Sequence, residues 1–418
     1  MMRPSLSLIR QFPAALAALS LLAFTTPARA ADTVTEALTG GTTSANLRYR
    51  YETVNEDNNG KRQGTASTVR LRLGYKTSEY QGFGVMIEAE HLTALGNQSY
   101  NSTANGRTAY STIADPTFTE INQAYLSYTG LPKTRIIYGR QRIALDNQRF
   151  IGEVDWRQNQ QTFDAVTMVN ESLPDTRITL GYINNVNRVF SRNALAASGP
   201  ASGNFRMHSP IMNVNYKGWS VGELSAYGYL LDFGLPAAND INSTETFGVR
   251  MKGSAPSSSV AFLYTAEYAT QAGYMSNPAR YRDEYKLLEA GMDFKIAEVK
   301  LGYEALGSDG LHAFSTPLAT LHAFNGWVDM FLTTPAAGLK DAYLSASTTV
   351  SGVKLGAVYH DFSAYTNGQA YGTELDLIVT RPIEKNYLVG VKYGRFNSES
   401  APTRVNTDKF WLWAEMKF

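Results

Sequence analysis

Apolar and polar side chains alternate through most of this chain, segment after segment, and that rhythm limits what it can fold into. A period of two puts one kind of side chain on each face of a β-strand. Leu47, Tyr49 and Tyr51 share one parity, with Arg48, Arg50 and Glu52 on the other. Val69, Leu71, Leu73 and Tyr75 oppose Arg70, Arg72 and Lys76, and Phe83, Val85, Ile87 and Ala89 oppose Glu88 and Glu90. The last segment carries Phe410, Leu412, Ala414, Met416 and Phe418 on one parity, apolar throughout. About 18 such segments start near residues 45, 66, 81, 120, 133, 161, 175, 206, 219, 244, 258, 285, 297, 339, 352, 371, 385 and 405. An even number of them suits a single-chain barrel with one face toward lipid.

The links between segments alternate in length. Tight ones fall at Glu79-Tyr80-Gln81-Gly82, Lys217-Gly218, Ile296-Ala297, Ser351-Gly352 and Arg381-Pro382-Ile383-Glu384. Long ones cover residues 93–119, 145–160, 190–205, 232–243, 271–284, 307–338 and 396–404. A soluble sandwich buries its apolar face against a second sheet and has no reason to sort its loops this way. The expected fold is therefore all-β: a transmembrane antiparallel barrel of about 18 strands, with short periplasmic turns and long extracellular loops. Residues 31–418 read as a single barrel domain, since no linker interrupts the pattern.

Residues 1–30 read as a cleaved signal peptide. Arg3 and Arg10 supply the positive start, Ala14 to Phe24 an apolar run, and Ala28-Arg29-Ala30 a small-x-small cleavage site. The run is too short for a membrane helix. There are no cysteines, which excludes disulfides and thiolate chemistry. Tyr, at 25 residues, outnumbers Trp, at 5, and suits the boundary of hydrocarbon and water. The mean hydropathy of −0.25 excludes a helical membrane protein but not a barrel, which hides its apolar residues at every second position. Lys and Arg total 38 against 37 Asp and Glu, so no net charge draws the chain to nucleic acid. Any electrostatic function has to come from where the charges sit.

Two loop-adjacent stretches carry a resemblance. One runs Tyr138-Gly139-Arg140-Gln141-Arg142, through Asp146-Asn147-Gln148-Arg149-Phe150, to Trp156-Arg157-Gln158-Asn159 and Phe163-Asp164-Ala165. The other is Phe314 to Asp329, with His322, Phe324, Asn325, Gly326 and Trp327. Both resemble the alginate-export family of outer-membrane channels. The resemblance implies an 18-stranded monomeric barrel with a polar lumen partly closed by loops, and passage of an anionic uronic-acid polymer or a related anionic solute. A terminal aromatic such as Phe418 is similar to the closing signal of bacterial outer-membrane barrels, which implies the barrel-assembly machinery as a partner, along with outer-membrane lipid.

The polar parity should face the lumen. Arg48, Arg50, Arg70 and Arg72 stand on adjacent strands, where like charges repel unless acids or an anion neutralise them; Glu88 and Glu90 on the third strand are available for that. Arg140, Arg142, Arg149 and Arg157, with Asp146 and Asp164, are dense in one motif, and Arg suits bidentate capture of a carboxylate. That motif reads either as an inward eyelet or as a solvated loop, with Trp156, Phe150 and Phe163 favouring order. Strand parity around 138–142 and 162–168 is ambiguous. The loops at 93–119, 145–160 and 307–338 read as plugs or as rim. For any single lumen charge, cross-strand pairing competes with solute binding as the explanation.

Enzyme chemistry finds no support. His91, His208, His312, His322 and His360 stand outside any nucleophile motif, and neither G-x-S-x-G nor H-E-x-x-H occurs. No cofactor is expected. The reading is a passive outer-membrane channel for an anionic polysaccharide or related solute in a Gram-negative bacterium, with a porin importing organic acids or sugars as the alternative.

Overall fold

The computed structural model describes residues 31–418 apart from 58, 198, 235–236, 258 and 401–402; the leader read at residues 1–30 lies outside the described residues. A short helix, α1 (Val34–Thr39), precedes the strands, capped by the Thr33 hydroxyl. Eighteen strands follow among the described residues. The first nine are β1 (Thr42–Glu56), β2 (Gly64–Lys76), β3 (Phe83–Ala94), β4 (Phe118–Tyr128), β5 (Thr134–Gln141), β6 (Thr162–Asn170), β7 (Thr176–Asn187), β8 (Asn204–Trp219) and β9 (Gly222–Leu231). The others are β10 (Thr244–Pro256), β11 (Ala261–Gly273), β12 (Arg282–Asp293), β13 (Ala297–Leu306), β14 (Leu339–Val350), β15 (Val353–Ser363), β16 (Ala370–Ile383), β17 (Tyr387–Ser398) and β18 (Thr407–Lys417). Each starts within three residues of the position read from the alternation.

Every strand pairs antiparallel with its sequence neighbours, and β18 pairs with β1 from Asn46↔Lys417 to Glu56↔Thr407. The sheet is thereby closed. Closure matters because lipid offers no hydrogen bonds, so an open edge would leave backbone groups unpaired. The parity follows the sequence. Leu301 is 64% exposed on the outer face, as are Val249 and Leu412, whereas Arg70, Glu304 and Trp411 on the other parity are buried in the lumen. Ser351 and Gly352, both at positive φ, form the two-residue turn between β14 and β15, a turn type whose twist matches the flanking strands.

Irregularities occur where the wall meets the loops. The register between β3 and β4 slips between Glu88 and Ala89, leaving Asn122 as the extra residue. The bulge sends two consecutive amides inward, and Asn122 and Gln123 both donate to Glu88 Oε1, at 2.7 and 3.0 Å. β5 ends at Gln141 because the chain there turns into the barrel, so its pairing with β4 spans only Ala124↔Arg140 to Tyr128↔Ile136.

Candidate functional site: the plugged lumen

Two connections fold inward and join. Gly152 N–H donates to Leu318 O (2.9 Å), Thr320 N–H to Gln148 O (3.0 Å), and the Gln161 amide to both Gly152 O and Leu318 O. Residues 142–161 and 307–338 thus form one plug, as the sequence allowed for both. The apolar residues of the first motif explain its inward path. Phe150 packs on rings from the far wall, 5.0 Å from Tyr227 and 5.4 Å from Tyr285. Arg149, fully buried beside it, donates to Glu304 (2.7 Å), Thr316 (3.1 Å) and Asn325 (3.0 Å). From the second connection, Phe331 packs on Phe362 at 4.5 Å. The 93–119 connection contributes only its end: Asp115 accepts from Gln158 N–H at 3.4 Å.

The arginines of β1 and β2 meet the plug at residues 155–158. Arg48 donates to the carbonyls of Asp155 (2.9 Å) and Arg157 (3.3 Å), Arg50 to that of Trp156 (2.8 Å), and Arg70 to that of Gln158 (3.2 Å). Arg72 reaches the Asp155 carboxylate at 2.6 Å and also pairs with Glu90. Burial works to raise the Asp155 pKa, but Arg72, Arg48 and Arg70 overcome it and hold the carboxyl down to about 2. Part of the charge of this arginine ladder, Arg48, Arg50, Arg70 and Arg72 along β1 and β2, is therefore spent on seating a loop.

A second set of contacts fixes Trp156 over the lumen. His322 stacks on its indole at 3.6 Å between centroids and 4° between planes, and the Arg50 guanidinium lies 3.8 Å from the same ring. His322 Nδ1 is 2.7 Å from Asp329 and its Nε2 is 2.9 Å from Lys392 Nζ. The Asp329 carboxylate can only accept, so Nδ1 carries the proton, and in the neutral ring Nε2 is left to accept from Lys392. Burial, with Lys392 and Arg157 adding to it against the pull of Asp329, holds the His322 pKa well below 6.5. Asp329 also accepts from Lys409 at 2.9 Å. At Gly326 (φ +86°) a Cβ would meet the Glu374 carboxylate at 2.5 Å; the bare backbone lets Trp327 N–H reach Asp376 (3.0 Å) and Val328 N–H reach Glu374 (2.7 Å).

This geometry has a pH consequence. A histidine held neutral in the native state contributes stability that is present above its unfolded pKa near 6.5 and lost as pH falls below it, because the unfolded state then binds the extra proton. Lowering pH from 7.5 to 5 is expected to loosen the plug and increase open-channel current noise in a planar bilayer. His322→Phe keeps the stack but not the proton, and should flatten that dependence; an equal rise in noise would assign it to the carboxylates.

Cavities lie on both sides of this layer. On the extracellular side a space of about 350 Å³ is lined by Trp156, Arg157, His322, Asp329 and Lys409 below the apolar Val189, Phe190, Pro317 and Met330. On the periplasmic side, a space of about 210 Å³ is lined by Arg70, Arg72, Arg142, Asp155 and Glu415, and one of about 770 Å³ by Arg135, Arg142, Asp146 and Arg177. Residues 154–157 thus face a vestibule on either side.

The structure brings most of the sequence candidates into the lumen. Arg48, Arg50, Arg70, Arg72 and Glu90 surround the 155–158 segment, whose own Arg157 pairs with Glu52 at 3.1 Å; Arg142 pairs with Glu88 at 3.3 Å, so Glu88 does not serve the four wall arginines. Asp146 accepts from Asn213 and Asn215 at 2.6 and 2.7 Å. Arg140 and Asp164 are corrections. They stand on the outward parity of β5 and β6, with Tyr138 (69% exposed) and Val166, and pair with each other at 2.7 Å. Arg140 also donates to Ile121 O at 2.9 Å, where β4 has outrun β5. Sequence reasoning missed Asp155, Asp115 and Lys409. Lys409 was legible from parity, since it lies opposite Phe410 on the last strand.

A closed antiparallel barrel with outward apolar rows, sorted loops and an arginine-rich, plugged lumen is an outer-membrane β-barrel channel of a Gram-negative bacterium. Its sequence places it further: the chain belongs to the alginate export family, whose model matches residues 42–305. That span takes in the first motif and ends before the Phe314–Asp329 stretch. No curated protein matches the chain by sequence. Among solved structures it is similar to Acinetobacter baumannii OccAB2 (TM-score 0.71, 14% identity, 90% of this chain and 98% of that one). It is also similar to two from Pseudomonas aeruginosa: OpdK with vanillate (0.69, 12%, 90% and 98%) and OccK2 (OpdF) in complex with glucuronate (0.70, 11%, 91% and 98%). At these identities the likeness is one of fold.

Proposed function

We propose that this channel passively passes small solutes bearing a carboxylate, of the acidic-sugar or organic-acid class. The observation that carries the reading is the convergence of Arg48, Arg50, Arg70 and Arg72 on the segment that stands between the two vestibules. Guanidinium groups in a low-dielectric wall attract anions and match a carboxylate's two oxygens. The cavities beside it suit a solute of a few hundred Å³. Solved neighbours in fold carry vanillate and glucuronate, both carboxylates. The alginate export match favours a second reading, a polyuronate chain, whose passage requires the plug to leave the lumen. In both readings the barrel acts as a single copy, without cofactor or catalytic step. Phe418, on the lipid face beside Tyr387 (6.3 Å), is the residue through which the assembly machinery would recognise the last strand.

Reversal potentials across a salt gradient test the reading. The wild type is expected to prefer anions, less so as salt rises and screening shortens. Changing Arg70 and Arg72 together to Gln should move the reversal potential toward cations. Cation preference in the wild type at low salt would instead give the constriction to Glu88, Glu90, Glu374 and Asp376, and end the carboxylate reading.

A further inference from the structure

Four acids neutralise the arginine ladder, and three of them are fixed. Glu52 pairs with Arg50 (3.2 Å) and Arg157 (3.1 Å), Glu90 with Arg72, and Glu415 with Arg48 (3.2 Å) and Arg70 (3.4 Å). All three stand on strands, and their side chains are at most 3% exposed. Asp155 differs in both respects. It belongs to the plug, and its side chain is 33% exposed to the 210 Å³ cavity on the periplasmic side.

Its carboxylate is nevertheless the one on which three guanidiniums converge, from Arg72 at 2.6 Å, Arg70 at 3.8 Å and Arg48 at 3.9 Å. Arg48 and Arg70 are direct cross-strand partners. Like charges so placed are destabilising unless an anion lies between them. Glu415 and Glu90 supply two negative charges to the three arginines, so the position calls for one more carboxylate but does not require that it be the protein's own. The loop's hold on the wall is also separable from it. Arg50 grips Trp156 O, Arg70 grips Gln158 O, and the Gln158 amide donates to Thr68 Oγ1 at 2.9 Å. The Asp155 side chain can swing into the cavity while these backbone anchors stay.

We propose that Arg48, Arg70 and Arg72 form a carboxylate-binding cage which Asp155 occupies in the solute-free channel, and that a transported solute enters it by displacing the Asp155 carboxylate. The proposal rests on the carboxylate reading above and adds an exchange step to it. Asp155 acts as a tethered competitor. The cage is charge-balanced when empty of solute, and the exchange swaps one carboxylate for another without leaving a guanidinium bare. Apparent affinity for solute falls by the fraction of time the cage is free.

The test uses the full-length refolded channel in a planar bilayer, with sodium glucuronate as the probe. What is read is the concentration that half-reduces the chloride current. If Asp155 occupies the cage about nine-tenths of the time, Asp155→Asn should lower that concentration by about tenfold, while Asp155→Glu stays near wild type. Glu415→Gln removes the same charge from the same cage but from a fixed strand position. It should raise chloride preference as much as Asp155→Asn does, yet move the half-blocking concentration much less. Equal shifts from Glu415→Gln and Asp155→Asn would reduce the effect to a general field and overturn the exchange. So would a wild type that responds to glucuronate with Asp155→Asn unchanged. A wild type blind to glucuronate and selective for cations ends the carboxylate reading itself, a separate result. Asp155→Ser, read in the same way, serves if the Asn variant does not assemble.

Discussion

Arg149→Ala is expected to release the plug while leaving the barrel assembled. The side chain is fully buried and donates to Glu304, Thr316 and Asn325, and Asn325 in turn donates to Asp341 at 3.1 Å. Removing it leaves Glu304, directly across from Asp341 on the next strand, without its cation, and stranding a buried charge in this way costs about 3–5 kcal/mol. That cost falls on the contact between the 142–161 and 307–338 segments rather than on the strand ladder. Single-channel conductance should rise, and trypsin should cut at Arg157, which is shielded in the wild type. Arg149→Lys keeps the charge but not the three-way fork, and should lie between. Unchanged conductance together with retained trypsin resistance would mean that Phe150 and its ring contacts hold the plug alone.

Leu301→Arg is expected to cost about 2–4 kcal/mol if the position lies near the bilayer midplane, because a guanidinium there has neither water nor a partner. Leu301 sits midway along β13, between Ala290 and Leu344 on the neighbouring strands, and points outward. Its neighbour Lys300 points inward and pairs with Glu298 at 2.6 Å, about a third exposed. Lys300→Ala should therefore cost less than about 1 kcal/mol. Two adjacent residues differ this much only because a strand turns successive side chains to opposite faces. Folded fractions in lipid bilayers across a urea series measure both; a larger defect from Lys300→Ala would invert the parity of β13.

The wall was legible in the sequence wherever alternation was unbroken. Arg70 and Arg72 could be set inside and Leu71 outside from parity alone, and the same rule covered Glu304 and Lys392. Parity was ambiguous at Arg140 and Asp164 because polar and apolar residues do not alternate there: Tyr138, Arg140 and Arg142 share one parity, as do Thr162, Asp164, Val166 and Met168. The fold keeps Arg140 with Tyr138 and Asp164 with Val166 on the outer face. The inward course of the first motif was open because a loop has no period. Its aromatic residues argued for order but could not name the wall they would pack against.

Alternation, sorted loop lengths and an apolar last strand together determined the closed barrel and which strand residues face lipid, because these depend on spacing along the chain. The lumen's contents depend on contacts between residues far apart in sequence, such as Arg48 with Asp155 or His322 with Trp156. Only the folded protein revealed that the ladder arginines are already occupied, by loop carbonyls and the loop's Asp155 as well as by Glu52, Glu90 and Glu415 of the wall. Pairing between segments more than a hundred residues apart leaves no periodic mark on either.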